Sequence, residues 1–242
     1  MLEKCRGIVL STVNYSENSV VLKCYTDKYG LQSYMINGVK GKKAAIKPSH
    51  LMPLSLLELE VYHQQNKNLQ RIKELKCVPI LNQLHFDLHK STLALFMAEL
   101  LGKSLREEAQ LDVQLFGFIF NSVQIVDLTE GSLRNFPVYF MVQLSKYLGF
   151  FPKTNYSAQT PDFSLQEGLF ITNAPTTQDY CKGELANALS KFIACNYEEI
   201  QQEQISAVVR RDLLHKMIRY FQIHLMLFSD LKSPSILHEV LS

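Results

Sequence analysis

The chain has 242 residues, of which 47% are hydrophobic and 20% charged, with 10 Gly and 8 Pro, and this composition excludes collagen-like and low-complexity proteins. No run reaches about 18 consecutive apolar residues, so a membrane-spanning helix is not expected. The formal net charge of +2 hides an asymmetry, because residues 1–80 carry an excess of six positive charges and residues 81–242 an excess of four negative ones.

The first 80 residues have the pattern of a series of short strands. Apolar or alternating segments, separated by turn-prone residues, cover 7–13, 20–25, 31–36, 51–62 and 69–78. In the second segment, Val20, Leu22 and Cys24 share one face, and Val21, Lys23 and Tyr25 share the other. Five strands in about 75 residues leave no room for crossover helices, which predicts a small antiparallel barrel.

After Pro79 the apolar spacing becomes helical. The predicted helices cover 84–105, 111–127, 136–149, 182–195, 206–228 and 235–241. The stretch 152–177 is rich in Pro, Thr, Ser and Asn, which predicts a mostly irregular loop with a short hairpin at 163–172. The fold class is therefore α+β, with a barrel domain over 1–80 followed by an all-α domain over 81–242.

A basic segment follows the third predicted strand. Lys40, Lys42, Lys43 and Lys47 lie within eight residues, and no Asp or Glu occurs between Asp27 and Glu58. Glycines at 38 and 41 let the backbone approach a phosphodiester chain closely. A solvated hairpin is the alternative, but the absence of acids favours binding of a polyanion.

Three tyrosines, Tyr25, Tyr29 and Tyr34, lie near this segment in the sequence. Aromatic rings flanked by lysines on an open barrel face provide stacking and charge neutralisation for a single strand. For each tyrosine taken alone, a place in the core is the commoner arrangement. The pattern leaves open which of the three stack on bases.

The helix predicted at 206–228 carries a second candidate site. Its apolar arc contains Leu213, Leu214, Met217, Ile218, Phe221 and Leu225. Arg210 lies one turn ahead of that arc, and Arg211 falls on the polar arc. An arginine beside an apolar groove can hold the carboxylate of a docking peptide. An arginine whose stem covers apolar surface at a helix start is the commoner alternative.

Enzymatic and metal-binding patterns are missing from the sequence. The five cysteines include no CxxC pair, and His85 is followed by Phe86 instead of the glutamate of a metalloprotease helix. Gly102-Lys103-Ser104 lacks the glycine that a phosphate-binding loop needs five residues earlier. We therefore expect no enzyme activity, no cofactor and no metal. The only apolar run near the start, Gly7 to Leu10, is too short for an export signal, so a cytoplasmic protein is expected.

Several N-terminal segments resemble one known family. These are Gly7 to Leu10, Ser16-Glu17-Asn18-Ser19, Thr26 to Gly30, and Gly38-Val39-Lys40-Gly41-Lys42-Lys43, continued by 51–60 and 69–75. Together they are similar to the N-terminus of RecO, a family of bacterial recombination mediators. Leu148 to Pro152 and Leu231-Lys232-Ser233 resemble segments of its helical domain, so the resemblance extends over the whole chain.

The RecO resemblance implies an OB-fold barrel joined to a helical domain. It implies binding of single- and double-stranded DNA, annealing of complementary strands, contact with RecR and loading of the recombinase, without catalysis or a nucleotide cofactor. Lys23, Lys40, Lys42, Lys43 and Lys47 are then the expected DNA-binding residues. Arg210, Arg211 and Lys232 are expected to hold the C-terminal tail of single-stranded-DNA-binding protein.

One departure from the family concerns zinc. Many relatives carry a four-cysteine zinc module after the segment that resembles Leu148 to Pro152, whereas residues 152–175 contain no cysteine here. Thr154, Asn155 and Gly168 lie in a loop that must keep its shape without metal. The sequence therefore predicts that the chain binds no zinc.

The sequence is compatible with three functions. The first is a DNA repair mediator, and the second is an OB-type module that binds ribosomal or transfer RNA, since such barrels bind both polymers. The third is a regulatory helical protein whose barrel binds another protein. The acid-free stretch argues against the third, and only the resemblance separates the first two.

Overall fold

The computed structural model describes residues 2–39, 46–64, 66–106 and 111–241. The strands are β1 Leu2–Ser16, β2 Ser19–Thr26, β3 Gly30–Asn37, β4 Leu56–Tyr62, β5 Leu69–Cys77, β6 Asp162–Ser164, β7 Leu169–Ile171 and β8 Tyr180–Cys181. The helices are α1 Leu88–Ser104, α2 Val113–Leu128, α3 Phe136–Tyr147, α4 Glu184–Ala194, α5 Tyr197–Gln202, α6 Ala207–His224 and α7 Ser233–Leu241, with a short 3-10 turn at Pro48–Leu51. The predicted α+β order, a five-stranded barrel followed by helices, is confirmed.

The five N-terminal strands close into a barrel in the order β1-β2-β3-β5-β4, with β4 pairing back onto β1. All neighbours are antiparallel except β3 and β5, which run parallel. The prediction of a wholly antiparallel barrel was therefore wrong at one pair. The reason is topological, because strand directions cannot alternate all the way around a closed ring with an odd number of strands.

The barrel interior follows from the alternation seen in the sequence. Val20, Leu22 and Cys24 point inwards and are buried, while Val21 and Lys23 on the other face of β2 are half-buried. Strand β1 is long because it pairs with β4 through its first half and with β2 through its second half. It therefore belongs to both sides of the barrel.

Two compact units are present, Met1–Leu128 and Thr129–Ser242. The first includes α1 and α2 as well as the barrel. The Asp127 carboxylate on α2 accepts hydrogen bonds from the backbone N–H groups of Asn82, Gln83 and Leu84, at 3.2, 2.8 and 2.7 Å. These bonds fasten the segment that leaves the barrel to the end of α2. The domain boundary expected near residue 80 stays a prediction.

The second unit combines helices α3 to α7 with a small sheet. Strands β6 and β7 form the hairpin predicted at 163–172, and β8 pairs with the other edge of β6, which the sequence analysis missed. The expected all-α domain therefore contains a three-stranded sheet. Its core is aromatic, with Phe163 in edge contact with Phe170 at 4.9 Å and close to Tyr220 of α6 at 5.9 Å between ring centroids. Among the described residues, no helix is both long and apolar enough to cross a membrane.

Candidate nucleic-acid and peptide interfaces

The basic segment is only partly described by the structure. Lys40, Lys42 and Lys43 lie outside the described residues, so the structure does not place them. Lys47 is exposed directly before the 3-10 turn. Lys23 lies on the outward face of β2, where it pairs with Ser11 of β1 and Ser33 of β3.

Both flanks of the basic segment are fastened to β1 and its turn into β2. At one end, the N–H groups of Gly38 and Val39 donate to the Asn18 carbonyl at 2.8 and 3.3 Å. At the other end, the Thr12 hydroxyl donates to the Leu51 carbonyl at 3.0 Å. Val39 and Leu51, which flank the basic segment, are therefore both bonded to the same hairpin, which we call the β1–β2 ribbon and define as residues 11–19.

The three tyrosines near the segment do not offer free stacking faces. Tyr34 is fully buried inside the barrel, and this burial raises the pKa of its hydroxyl well above the usual range. Tyr25 is buried against Phe116 of α2, and desolvation raises its pKa to about 12. Tyr29 stacks on His63 with 3.7 Å between ring centroids. Tyr25 and Tyr34 are therefore core residues.

Tyr62 of β4 is 47% exposed, and the most exposed tyrosine of the barrel strands is Tyr15, at 69%. It lies in the β1–β2 ribbon, where the pairing of β1 with β2 is irregular between Asn14 and Ser16. Sequence reasoning passed over Tyr15 because it sits in a turn-prone stretch with no alternating pattern. The signal available in the sequence was an aromatic residue surrounded by polar, turn-prone residues, where no core face is expected.

A groove on the second unit contains the predicted arginines. Its apolar floor includes Val138 of α3, Leu214 of α6 and Leu237 of α7, all buried. Its rim is basic and is formed by Arg134, Arg210, Arg211, His215 and His238. None of the described residues that line the groove is Asp or Glu. We call this feature the α6 groove, and its chemistry suits an anion attached to an apolar group.

The two arginines at the start of α6 differ in their surroundings. Ser206 caps the helix by accepting from the Val209 N–H at 3.3 Å, which fixes where the first turn begins. Arg211 pairs with Asp212 at 3.0 Å. Arg210 donates to the Ile205 carbonyl, and no Asp or Glu partner is recorded for it within the described part of the chain.

Arg134 is the rim residue that sequence reasoning missed. It precedes α3, and its side chain donates to the Ser132 hydroxyl at 2.7 Å. Burial, together with the nearby Arg134 guanidinium, lowers the pKa of Arg210. The two guanidinium groups therefore repel each other, and a bound anion would relieve that repulsion. No periodicity marks Arg134, because it lies outside a helix and 76 residues before Arg210.

Lys232, the third residue expected to hold the tail, is exposed just before α7. It is not among the residues that line the α6 groove. Its role in tail binding stays a prediction, and Arg210 and Arg211 are the two expected residues that the structure brings together there.

The segment 152–175 is organised by hydrogen bonds. Asn155 donates to the Phe170 carbonyl at 2.8 Å and accepts from the Phe170 N–H at 3.0 Å, as a backbone strand partner would. Lys153 N–H donates to the Gly168 carbonyl at 2.8 Å. Within the described ranges, no group of three His, Cys, Asp or Glu could hold a metal. The absence of zinc stays a prediction.

His85 and His89 are four residues apart, a spacing that would let two imidazoles on one helix share a metal, but α1 begins at Leu88 and contains only His89. The His85 Nε2 atom lies 2.9 Å from the Pro53 carbonyl, so this imidazole connects the segment before α1 to the segment before β4. His89 lies 3.8 Å from Asp87, which is also the N-cap of α1. Both rings therefore have local structural partners.

Comparison with known proteins decides the family. The family model described as Recombination protein O N terminal matches residues 1–80. The family model described as Recombination protein O C terminal matches residues 85–233. The chain belongs to the RecO family. It is 33% identical over 242 residues to the DNA repair protein RecO of Phocaeicola vulgatus, and this covers 100% of both chains.

Two further relatives agree with this assignment. The chain is 32% identical over 241 residues to the DNA repair protein RecO of Azobacteroides pseudotrichonymphae, covering 99% of both chains. It is 32% identical over 240 residues to that of Flavobacterium johnsoniae, again covering 99% of both. The resemblance seen in the sequence is confirmed, and this RecO family member shares the family's association with DNA repair and recombination.

Proposed function

We propose that this RecO family member is a non-enzymatic mediator that binds single- and double-stranded DNA, anneals complementary strands and helps load the recombinase onto coated single strands. The observation that carries the proposal is the match of both RecO family models, one on the barrel and the other on the helical region. The five lysines Lys23, Lys40, Lys42, Lys43 and Lys47 are the proposed DNA contacts. RecR is a proposed partner, tested by co-purification of the two proteins.

DNA binding by the basic segment is tested with a fourfold variant that replaces Lys40, Lys42, Lys43 and Lys47 with Ala. If each lysine neutralises one phosphate, the slope of log K against log salt on single strands shrinks by about 0.7 per lysine. The measurement is fluorescence anisotropy over a salt series. An annealing assay on the same variant is expected to show a slower reaction.

The matched control replaces Lys4, Lys28, Lys73 and Lys76, four lysines of the same unit that already pair with glutamates. It removes the same charge but is expected to change the slope less, because a phosphate would have to compete with the paired glutamates for these ammonium groups. Equal salt slopes for the two variants would reject the basic segment as a DNA-binding site. Preference for RNA over DNA at matched salt would favour the alternative of an RNA-binding module.

We further propose that the α6 groove captures the C-terminal tail of single-stranded-DNA-binding protein. The RecO resemblance implies a tail that is acidic and ends in an aromatic residue with a free carboxylate. The buried floor would take the ring, and Arg210, supported by Arg134, would take the carboxylate. A basic rim is needed here because residues 81–242 are acidic overall and would otherwise repel the tail.

Replacing Arg210 with Ala is expected to weaken tail binding by about 1.5–3 kcal/mol, the value of a charged hydrogen bond. Arg211→Ala is expected to cost less, since Asp212 already pairs with Arg211. The measurement is a fluorescence-anisotropy titration of a labelled tail peptide, with circular dichroism to confirm folding. Equal affinity of the wild type and the Arg210 variant would reject this site while leaving DNA binding by the barrel unaffected.

A further inference from the structure

The outer surface of the barrel has an apolar strip that the core does not explain. Val13 of β1 pairs with Val21 of β2, and Val21 pairs with Met35 of β3. Directly paired residues point to the same side of a sheet. Val13 is 62% exposed, and Val21 and Met35 are half-buried, so this side faces solvent. Three apolar side chains thus form a row across the outside of the sheet.

Two cationic residues lie next to the row. Arg71 of β5 pairs with Met35 at one end and is exposed. Lys23 belongs to the next row along β2. Within the β1–β2 ribbon, the acidic residue is Glu17, which lies in the turn between β1 and β2. The sequence adds three further lysines between 40 and 43, in the segment whose flanks are bonded to Asn18 and Thr12 of the ribbon.

Tyr15 lies between those two bonded positions. Its ring is 69% exposed at the irregular point of the β1–β2 pairing. Irregular pairing of this kind directs a side chain away from the ladder. No ring contact is recorded for Tyr15 among the described residues, in contrast with Tyr25 and Tyr29. An exposed aromatic ring beside an apolar row that has Arg71 and Lys23 next to it is an arrangement on which unpaired bases can stack.

We propose that Tyr15, with the apolar row Val13, Val21 and Met35, is a stacking platform for unpaired bases of a single-stranded nucleic acid. This inference rests on the proposed DNA binding and deepens it. Lysines alone bind any polyanion, whereas a stacking platform selects single strands, because a duplex buries its base faces. Charge favours this occupant over a protein, since residues 28–57 of the chain contain no Asp or Glu.

The chain contains no tryptophan, which provides a direct test. In Tyr15→Trp, the indole fluorescence is expected to be quenched on titration with an oligothymidylate and to change little with a blunt duplex. The matched control is Phe86→Trp, at an 83% exposed position just before α1, whose fluorescence should not respond to either ligand. Equal quenching by the duplex, or no quenching at saturating oligothymidylate, would overturn the platform.

Affinities provide the second test. Tyr15→Ala is expected to weaken oligothymidylate binding roughly 5- to 100-fold, whereas Tyr15→Phe should bind oligothymidylate as the wild type does. Both variants should bind the blunt duplex with wild-type affinity. Unchanged single-strand affinity in Tyr15→Ala, with a loss in the fourfold lysine variant, would overturn the platform and leave the proposed function intact. If the wild type bound no nucleic acid, the stacking platform and the proposed DNA-binding function would both be rejected. Loss of RecR binding alone in Tyr15→Ala would instead assign the ribbon to a protein contact and overturn the platform.

Discussion

The ion pair between Asp179 and Arg219 links two elements of the second unit. The Arg219 Nε atom donates to the Asp179 carboxylate at 2.9 Å, and Gln166 donates to the same group at 3.3 Å. The Arg219 hydrogen bond is the main reason that the pKa of Asp179 lies below its ordinary value. The pair connects α6 to the residue that precedes β8.

This pair predicts a specific pH dependence of stability. A lowered folded-state pKa means that the stabilising effect is complete above the unfolded pKa of about 3.9 and is lost as the pH falls through the folded value. The free-energy difference of unfolding between the wild type and Arg219→Ala is therefore expected to be constant from pH 7 to about 5 and to narrow below about 4.

Urea denaturation at a series of pH values provides the measurement. Asp179→Asn is the second variant, because it removes the titrating group and keeps a hydrogen-bond acceptor. The difference in free energy of unfolding between Asp179→Asn and the wild type should narrow over the same pH range. A difference that stayed constant down to pH 2.5 would show that Asp179 is not responsible.

Strand β1 shows how one small residue permits a closed barrel. Gly7 lies where β1 pairs on one side with Thr26 of β2 and on the other with Leu57 of β4. A Cβ atom at this position would lie 2.5 Å from the Cys24 sulfur and 2.8 Å from a Leu59 methyl carbon. The barrel therefore closes tightly at this position because glycine has no side chain.

A pair of Gly→Ala substitutions tests this account, and they are expected to have opposite signs. Gly7→Ala should lower the free energy of unfolding by about 1–3 kcal/mol through overpacking. Gly102→Ala on α1 meets nothing within 4 Å and should raise it by up to about 1 kcal/mol through helix propensity. Thermal and urea denaturation of both variants gives the comparison. Two changes of the same sign would contradict the packing argument.

For the molecule as a whole, the absence of cysteine from the 152–175 segment predicts a protein without zinc. The hydrogen bonds of Asn155 and of Lys153 organise the 152–175 segment with protein groups alone. Elemental analysis of the purified protein is therefore expected to find substoichiometric zinc. A chelator should leave the melting curve unchanged, because a chain that binds no zinc gains no folding free energy from it. One zinc per chain would contradict this expectation.

The sequence by itself determined the five strands of the barrel, the helices α1 to α4, α6 and α7, and much of the barrel interior, but not β8 or α5. Alternation placed Val20, Leu22 and Cys24 on one face of a strand, and the structure buries all three. It also indicated the apolar arc of α6, of which Leu213 and Met217 are fully buried. These features were predictable because a single element presents its buried face at a fixed spacing along the chain.

Tertiary structure decided the features that combine distant segments. Tyr25 is buried because α2 covers its side of β2, and Arg134 reaches the α6 groove although it is 76 residues from Arg210. The parallel pairing of β3 with β5 followed from ring closure. Local spacing carries no information about these neighbours, since a side chain's burial and charge environment depend on which other elements pack against it.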